Sequence, residues 1–253
     1  VIADLGPIDS ATIQTQVYQR LREALFNGAL LPGDSVTIRA LATRLGTSPM
    51  PVREALQRLV AEKALIQLPN RTFRVTPFTT EMFIELMRVR MTVEGMAAAE
   101  AARRFSSRVE RRLAQHNAAM IRAIERGQAD AVMRANRRFH FELYQAADMP
   151  QLLDIINGLW LRAGPYLMNA HRSLDDPTIF FRSGVLFHER IMAACAARSP
   201  KRAARAIAGD IWHSARFFRR NVGKINAPYP PEREPRTSTA VTSEEGGHHE
   251  SVR

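Results

Sequence analysis

Apolar residues recur with two different spacings along the chain, and the change of spacing marks out its first module. From 38 to 60 the spacing is helical: Ile38, Leu41, Ala42 and Leu45 form one apolar stripe, and Val52, Leu56, Leu59 and Val60 a second. Thr37 precedes the first stripe as an N-cap, and Gly46 between the stripes suits a left-handed turn. Thr47 or Ser48 then caps the second helix, with Pro49 or Pro51 in its first turn, where proline loses no hydrogen bond. After Ala64 the spacing falls to two, with Leu65 and Gln67 on one side of a turn over 69–72 and Phe73 and Val75 on the other, which predicts a short hairpin.

A short helix, a tight turn, a second helix and a hairpin make a winged helix-turn-helix. In such a module one helix braces across the phosphate backbone while the next lays its first residues in the major groove. Off the apolar stripes, Ser48, Met50, Arg53, Gln57 and Arg58 face outward on the second helix, and Arg39 and Arg44 on the first. Arg53 is the strongest base-reading candidate, because its guanidinium can grip guanine O6 and N7 with two hydrogen bonds where lysine delivers a point charge. Asn70 and Arg71 at the hairpin tip suit a phosphate or the minor groove, although an ordinary solvated turn has the same composition.

From Thr79 onward helical periodicity holds nearly throughout, predicting helices near 80–105, 107–126, 129–147, 150–171, 176–198 and 200–223. Ser106 and Ser199 are plausible caps, and Gly127, Met149-Pro150 and Asp176-Pro177 mark breaks. The expected fold is mainly α: a winged domain over 1–76, then an all-α antiparallel bundle of six or seven helices over 77–225. Residues 226–253 are rich in Pro, Ser, Thr and charge, and disorder is expected there.

Composition changes this picture little. A single cysteine, Cys195, cannot form an internal disulfide, and its apolar neighbours predict a buried, inert thiol. No run of about 18 uncharged apolar residues offers a membrane span, and the start lacks the layout of a secretory signal, so a cytoplasmic protein is expected. The formal net charge of +11 points toward nucleic acid, yet residues 1–76 carry only +3, against +10 for 77–225 and −2 for the tail. Charge alone therefore says little, since surface arginines are commonly a solvated face.

The bundle holds residues with a second kind of chemistry. Asn136 and His140 lie four apart and share a helix face, His188 follows on a later helix, and Asp210 and His213 lie three apart on the last. Imidazoles and a carboxylate suit zinc, nickel or manganese, and facing helices can converge them; by spacing alone, however, a helical histidine is more often a satisfied core or surface residue. Arg90 is either a pocket arginine or the partner of Glu94 one turn on, and Arg162 stands near Trp160 and Tyr166. His116 and His171 read as ordinary. A helical metal hydrolase or lyase using His140, His188 and Asp210 is an alternative, but no HExxH-type motif accompanies it. A sequence-neutral architectural DNA protein is another, disfavoured by the modest charge of 1–76.

The stretches NGALLPGDSV, SPMPVREALQRLVAE and LPNRTFRV resemble the winged helix-turn-helix of GntR-type bacterial transcription regulators. By position the resemblance implies DNA contacts from Arg39, Ser48, Met50, Arg53 and Asn70 or Arg71. Two positions depart: Lys63 and Thr72 stand where the family commonly has glycine. Residues 79–223, through RVRMTVEGMAAAEAA, NRRFHFELYQAA and the LFHER to IAGDIWHS interval, resemble the FCD-type ligand-binding domain of the FadR-like branch. Many such domains hold a divalent metal through an aspartate and three histidines, which by position implies Asn136, His140, His188 and Asp210, with the carboxylate moved to the far end of the set. The resemblance further implies a non-enzymatic regulator, most often a repressor, acting as a homodimer on a palindromic operator. A small carboxylate effector is expected at the centre, with Arg90, Arg162 and His213 as its candidate contacts. The helix beginning TPFTTEMFIELMRVR is the natural transmitter between the domains, with Phe73, Phe78 and Phe83 at the junction.

Overall fold

The computed structural model describes residues 13–77, 79–172 and 177–225. The first element among the described residues is α1 (Ile13–Phe26), a helix absent from the expectations above. It buries Val17, Tyr18, Leu21 and Leu25, the stripe that completes the winged core. β1 (Ser35–Val36), α2 (Ile38–Leu45), α3 (Pro49–Ala61), β2 (Leu65–Gln67) and β3 (Phe73–Val75) follow. The hairpin of β2 and β3 gains β1 as a third, antiparallel strand in the order β1-β3-β2. A two-residue strand is too short to leave a period in sequence.

Local rules account for the turns. Thr37 Oγ accepts the Ala40 N–H at 3.2 Å, and Gly46 takes φ +62° as it closes α2. Ser48 occupies the N-cap position of α3 without a side-chain capping bond, and Pro49 fills the first helical position. Lys63 does adopt the left-handed conformation usual for glycine, φ +60°, with its N–H on Val60 O and the Ala64 N–H on Leu59 O. Such a residue carries a strain of about 1 kcal/mol. In the wing the left-handed residue is Arg71, φ +61°, and not Thr72, because Asn70 Oδ1 accepts the Thr72 N–H at 3.1 Å and places the reversal one residue earlier.

The remaining elements are α4 (Thr80–Arg103), α5 (Ser107–Glu125), α6 (Ala129–Gln145), α7 (Pro150–Arg172), α8 (Pro177–Ala196) and α9 (Pro200–Ile225). Each begins and ends within a few residues of its expected bounds, since caps and breaks are explicit: Ser106 Oγ accepts from Val109 N–H, and Gly127 turns the chain at φ +63°. The Asp176 break, Phe78 and the tail from 226 lie outside the described residues. α4 and α9 pack along one another, α5 pairs with α6, and α8 lies against both α9 and α5. One contiguous apolar core runs from Val17 and Leu59 through Phe83 and Trp160 to Ile207. At the junction Phe83 stacks on Phe218 with centroids 4.0 Å apart, and the Tyr166 hydroxyl donates to Thr76 O. Among the described residues no helix is long and apolar enough to cross a membrane.

Candidate functional site

Three helices bring His140 (α6), His188 (α8) and Asp210 (α9) together inside the bundle, their donor atoms all within 4.8 Å of one another and all three residues buried. His140 Nε2 lies 3.2 Å from Asp210 Oδ2 and 3.4 Å from His188 Nε2. Each stands beside buried apolar residues of its own helix, Phe139 and Leu143 for His140, Ile191 for His188 and Ile207 and Ile211 for Asp210, so the packing of the helix carries the polar group inward. His188 lies flat against Phe139, centroids 3.7 Å apart and rings 6° from parallel.

The outer nitrogens are held by a surrounding layer. His188 Nδ1 lies 3.0 Å from Asn117 Oδ1, an acceptor, so that nitrogen carries the proton. His140 Nδ1 lies 3.0 Å from the Tyr144 hydroxyl, which donates its own proton to Glu94 Oε2 and therefore accepts from the imidazole. Trp160 Nε1 donates to the same Glu94 oxygen at 3.0 Å, and Arg90 Nε binds Glu94 Oε1 at 2.6 Å. Arg90 also lies 4.6 Å over the Trp160 ring. The Arg90–Glu94 reading of that pair is the one seen, fully buried.

With both Nδ1 atoms donating outward, both Nε2 atoms and the Asp210 carboxylate turn lone pairs toward a common point. Such an arrangement suits a positive occupant. A proton on His140 Nε2 serves Asp210 or His188, but the 3.2 and 3.4 Å separations are long for strong hydrogen bonds. They match the roughly 3.3 Å edge that nitrogen ligands about 2.05 Å from a tetrahedral ion would span. The donor set therefore fits a divalent metal.

Electrostatics agree. Burial, followed by the neighbouring His140, depresses the His188 pKa to about 3, so the ring is neutral as a ligand must be. Burial pushes the Asp210 carboxyl upward, but in the ion-free centre a hydrogen bond donated by His140 Nε2, with the positive side of the His140, His188 and Arg90 surroundings, outweighs it and holds its pKa below the usual value. Burial also drives the Tyr144 hydroxyl well up, keeping it a donor to Glu94, and lifts the Cys195 thiol to about 12, the inert state expected of it.

The other candidates stand as follows. Asn136 is half-buried one turn before His140 on α6. His213 is half-buried and lies against Phe180, 5.8 Å between centroids and 16° from parallel, with Phe187 at 5.7 Å. Arg162 is half-buried on α7, two residues after Trp160. Asn117 and Tyr144 were not foreseen: Tyr144 follows His140 by one helical turn, a signal within reach, while nothing in sequence ties Asn117 to His188.

On the winged module, Val52, Ala55, Leu56 and Leu59 of α3 are buried. Ser48, Met50 and Arg53 are exposed on the opposite side, Met50 at 60%. Arg39 on α2 and Asn70 and Arg71 on the wing are exposed as well. The internal bond from Asn70 Oδ1 to Thr72 leaves its amide N–H groups to face outward. Arg58 is different: its guanidinium lies 3.9 Å over the Tyr18 ring and binds Glu62 at 3.2 Å, so it braces α3 to α1. Tyr18 completes that brace by donating to Glu62 Oε1.

Comparison with known proteins places this geometry. Residues 13–75 match the model for bacterial regulatory proteins, gntR family, and residues 85–211 match the FCD domain. The HTH-type transcriptional regulator McbR of Escherichia coli is 31% identical over 193 residues, covering 76% of this chain and 86% of its own. A probable D-xylose utilization operon transcriptional repressor of Paenarthrobacter nicotinovorans is 29% identical, over 65% of this chain and 74% of its own. The solved structure of E. coli McbR/YncC superposes with a TM-score of 0.75 at 28% identity, covering 85% of this chain and 98% of that one.

Proposed function

This chain belongs to the gntR family of bacterial regulatory proteins, with an FCD domain as its larger part, and from that premise we propose that its operator affinity is set by a ligand at the buried centre. It is a transcription regulator, as its relatives are, and the helical-enzyme reading falls with that. In the proposed division of labour, residues 1–76 read DNA, residues 77–225 sense and dimerise, and the protein acts as a cytoplasmic repressor on a palindromic site. Arg53 reads a guanine edge, with Ser48 and Met50 beside it on the leading turn of α3. Arg39, Asn70 and Arg71 position the module on phosphates and the adjacent groove.

We further propose that His140, His188 and Asp210 hold a divalent ion of the zinc, nickel or manganese class, with the Asn136 carbonyl as a fourth candidate donor. The observation that carries this reading is the inward convergence of three lone-pair donors, two of them imidazoles whose outer nitrogens are already committed to Asn117 and Tyr144. Such an ion would supply a Lewis-acidic anchor for a small carboxylate effector. The chain's own residues fix the two imidazole tautomers, exclude water through Phe139 and Trp160, and offer Arg162 and His213 to the outer parts of the effector. Arg90 acts through Glu94 and Trp160. An effector that favours one arrangement of paired winged domains by roughly 1–3 kcal/mol shifts DNA affinity about 5- to 150-fold.

Metal analysis of protein purified without chelator tests the centre directly. One equivalent of divalent ion, lost in both His140→Ala and His188→Ala while the helical fold is kept by circular dichroism, is expected. A stoichiometry near zero that added ions do not restore replaces the metal with a protonated His140, and makes the centre a direct anion pocket.

A further inference from the structure

The winged and helical parts meet along α1 as well as through α4. Arg137 of α6 grips Glu23 of α1 with both terminal guanidinium nitrogens, at 2.8 and 3.4 Å, and lies 4.1 Å over the Phe26 ring. Phe26 in turn lies against Gly164 of α7, where an added Cβ would come within 3.4 Å of its ring. Gly28, just past α1, takes φ +65° and approaches α7 so closely that a Cβ would fall 2.7 Å from Met168 Cβ. Arg22 reaches Asn157 of α7 at 3.4 Å. Glu23, Phe26, Arg137, Trp160 and Gly164 together line a cleft of about 190 Å³ between the two parts.

Two of these residues reach the buried centre. Arg137 stands three positions before His140 on α6, so one rigid helix presents the imidazole inward and the guanidinium to α1. Trp160 lines the cleft, lies 5.3 Å from the His140 ring, and donates to the Glu94 oxygen that also holds Tyr144. On the other side, α1 is joined to α3 by the Tyr18–Glu62 bond and by Arg58 over Tyr18. A continuous set of contacts thus runs from His140 to the helix whose leading turn carries Met50 and Arg53.

We infer that Arg137 is a coupling residue: its clasp on Glu23 and Phe26 transmits occupancy of the His140–His188–Asp210 centre to α1, and through α1 to α3. The inference rests on the metal reading above. It gives a second route between the parts, distinct from the covalent one through α4. The clasp is half open to solvent, with side-chain exposures of 31% for Arg137 and 50% for Glu23. Exposed pairs are weak, so this one can shift without unfolding either part.

Hydrogen exchange of the full chain, stripped with chelator and then given Zn2+, tests this. In the unsubstituted protein Zn2+ is expected to slow exchange across α1 by at least about fivefold. Arg137→Gln and Glu23→Gln should bind Zn2+ with unchanged stoichiometry while the α1 response falls below about twofold. The reversed pair Glu23→Arg with Arg137→Glu should recover it. If Arg137→Gln folds poorly by thermal unfolding, Arg137→Lys keeps the charge but not the two-pronged grip, and should give a reduced response. An α1 response of full size in both single variants overturns the inference, as does Zn2+ binding that leaves α1 of the unsubstituted protein unmoved. Failure of the unsubstituted protein to bind Zn2+ overturns the metal reading and the coupling together.

Discussion

The leading edge of α3 and the centre between α6, α8 and α9 are built on opposite terms. At the edge, Ser48, Met50 and Arg53 project from a helix whose other face does all the packing, so they are available to a partner and contribute little to the fold. At the centre, His140, His188, Asp210, Glu94 and Tyr144 are buried and bound to one another, so each belongs to the candidate site and to the fold at once. The difference teaches how to read mutants. Loss of function at the edge reports recognition alone, whereas at the centre it must be separated from loss of stability.

The largest effect is expected at Glu94. Glu94→Gln leaves the Arg90 guanidinium, only 3% exposed, without its carboxylate, and removal of one partner from a buried pair costs about 3–5 kcal/mol. Urea unfolding should show that loss, and a cost below about 1 kcal/mol would erase the contrast between the two regions. A pH effect comes next. His188 has its folded pKa depressed to about 3 by burial and by His140, against 6.5 for the unconstrained ring. The unfolded chain therefore binds a proton that the folded chain refuses, so metal-stripped protein should lose stability steadily as pH falls below about 6.5. Melting temperatures from pH 7 to 5 check this, and His188→Gln should flatten the slope. The smallest effect belongs to the edge: Met50→Ala and Arg53→Ala should each leave the unfolding free energy within about 0.5 kcal/mol. A larger cost would show that these side chains pack against the protein rather than wait for a partner.

The same contrast explains what was legible in the sequence. Edge residues fall out by exclusion, because the stripe of Val52, Leu56 and Leu59 assigns the inner face and leaves Ser48, Met50 and Arg53 outside. The bundle helices were bounded by Ser106, Gly127 and Pro150, whose chemistry acts within one turn. His140, His188 and Asp210 could be named as candidates, but their convergence depends on how three helices pack, which spacing along one helix does not encode. For the same reason Asn117, on α5 with two helices between it and the α8 residue it orients, was invisible. α1 does carry a helical period in Val17, Tyr18, Leu21 and Leu25, so it too is legible in the sequence, whereas the two residues of β1 carry no period. The wing reverses at Arg71, inside the expected 69–72 turn, because the internal bond of Asn70, not residue type at Thr72, sets where it turns.

The central claim, that the leading turn of α3 reads base edges, is tested most directly by selecting DNA from a randomised duplex library with the unsubstituted protein and with Arg53→Ala in parallel. The account predicts a palindromic motif for the first. For the second it predicts preference lost at a guanine in each half-site, about 1–3 kcal/mol of discrimination, with weaker binding to the rest retained. The same motif at the same strength from both proteins would contradict it, and no enriched motif from either would make the protein a sequence-neutral DNA binder.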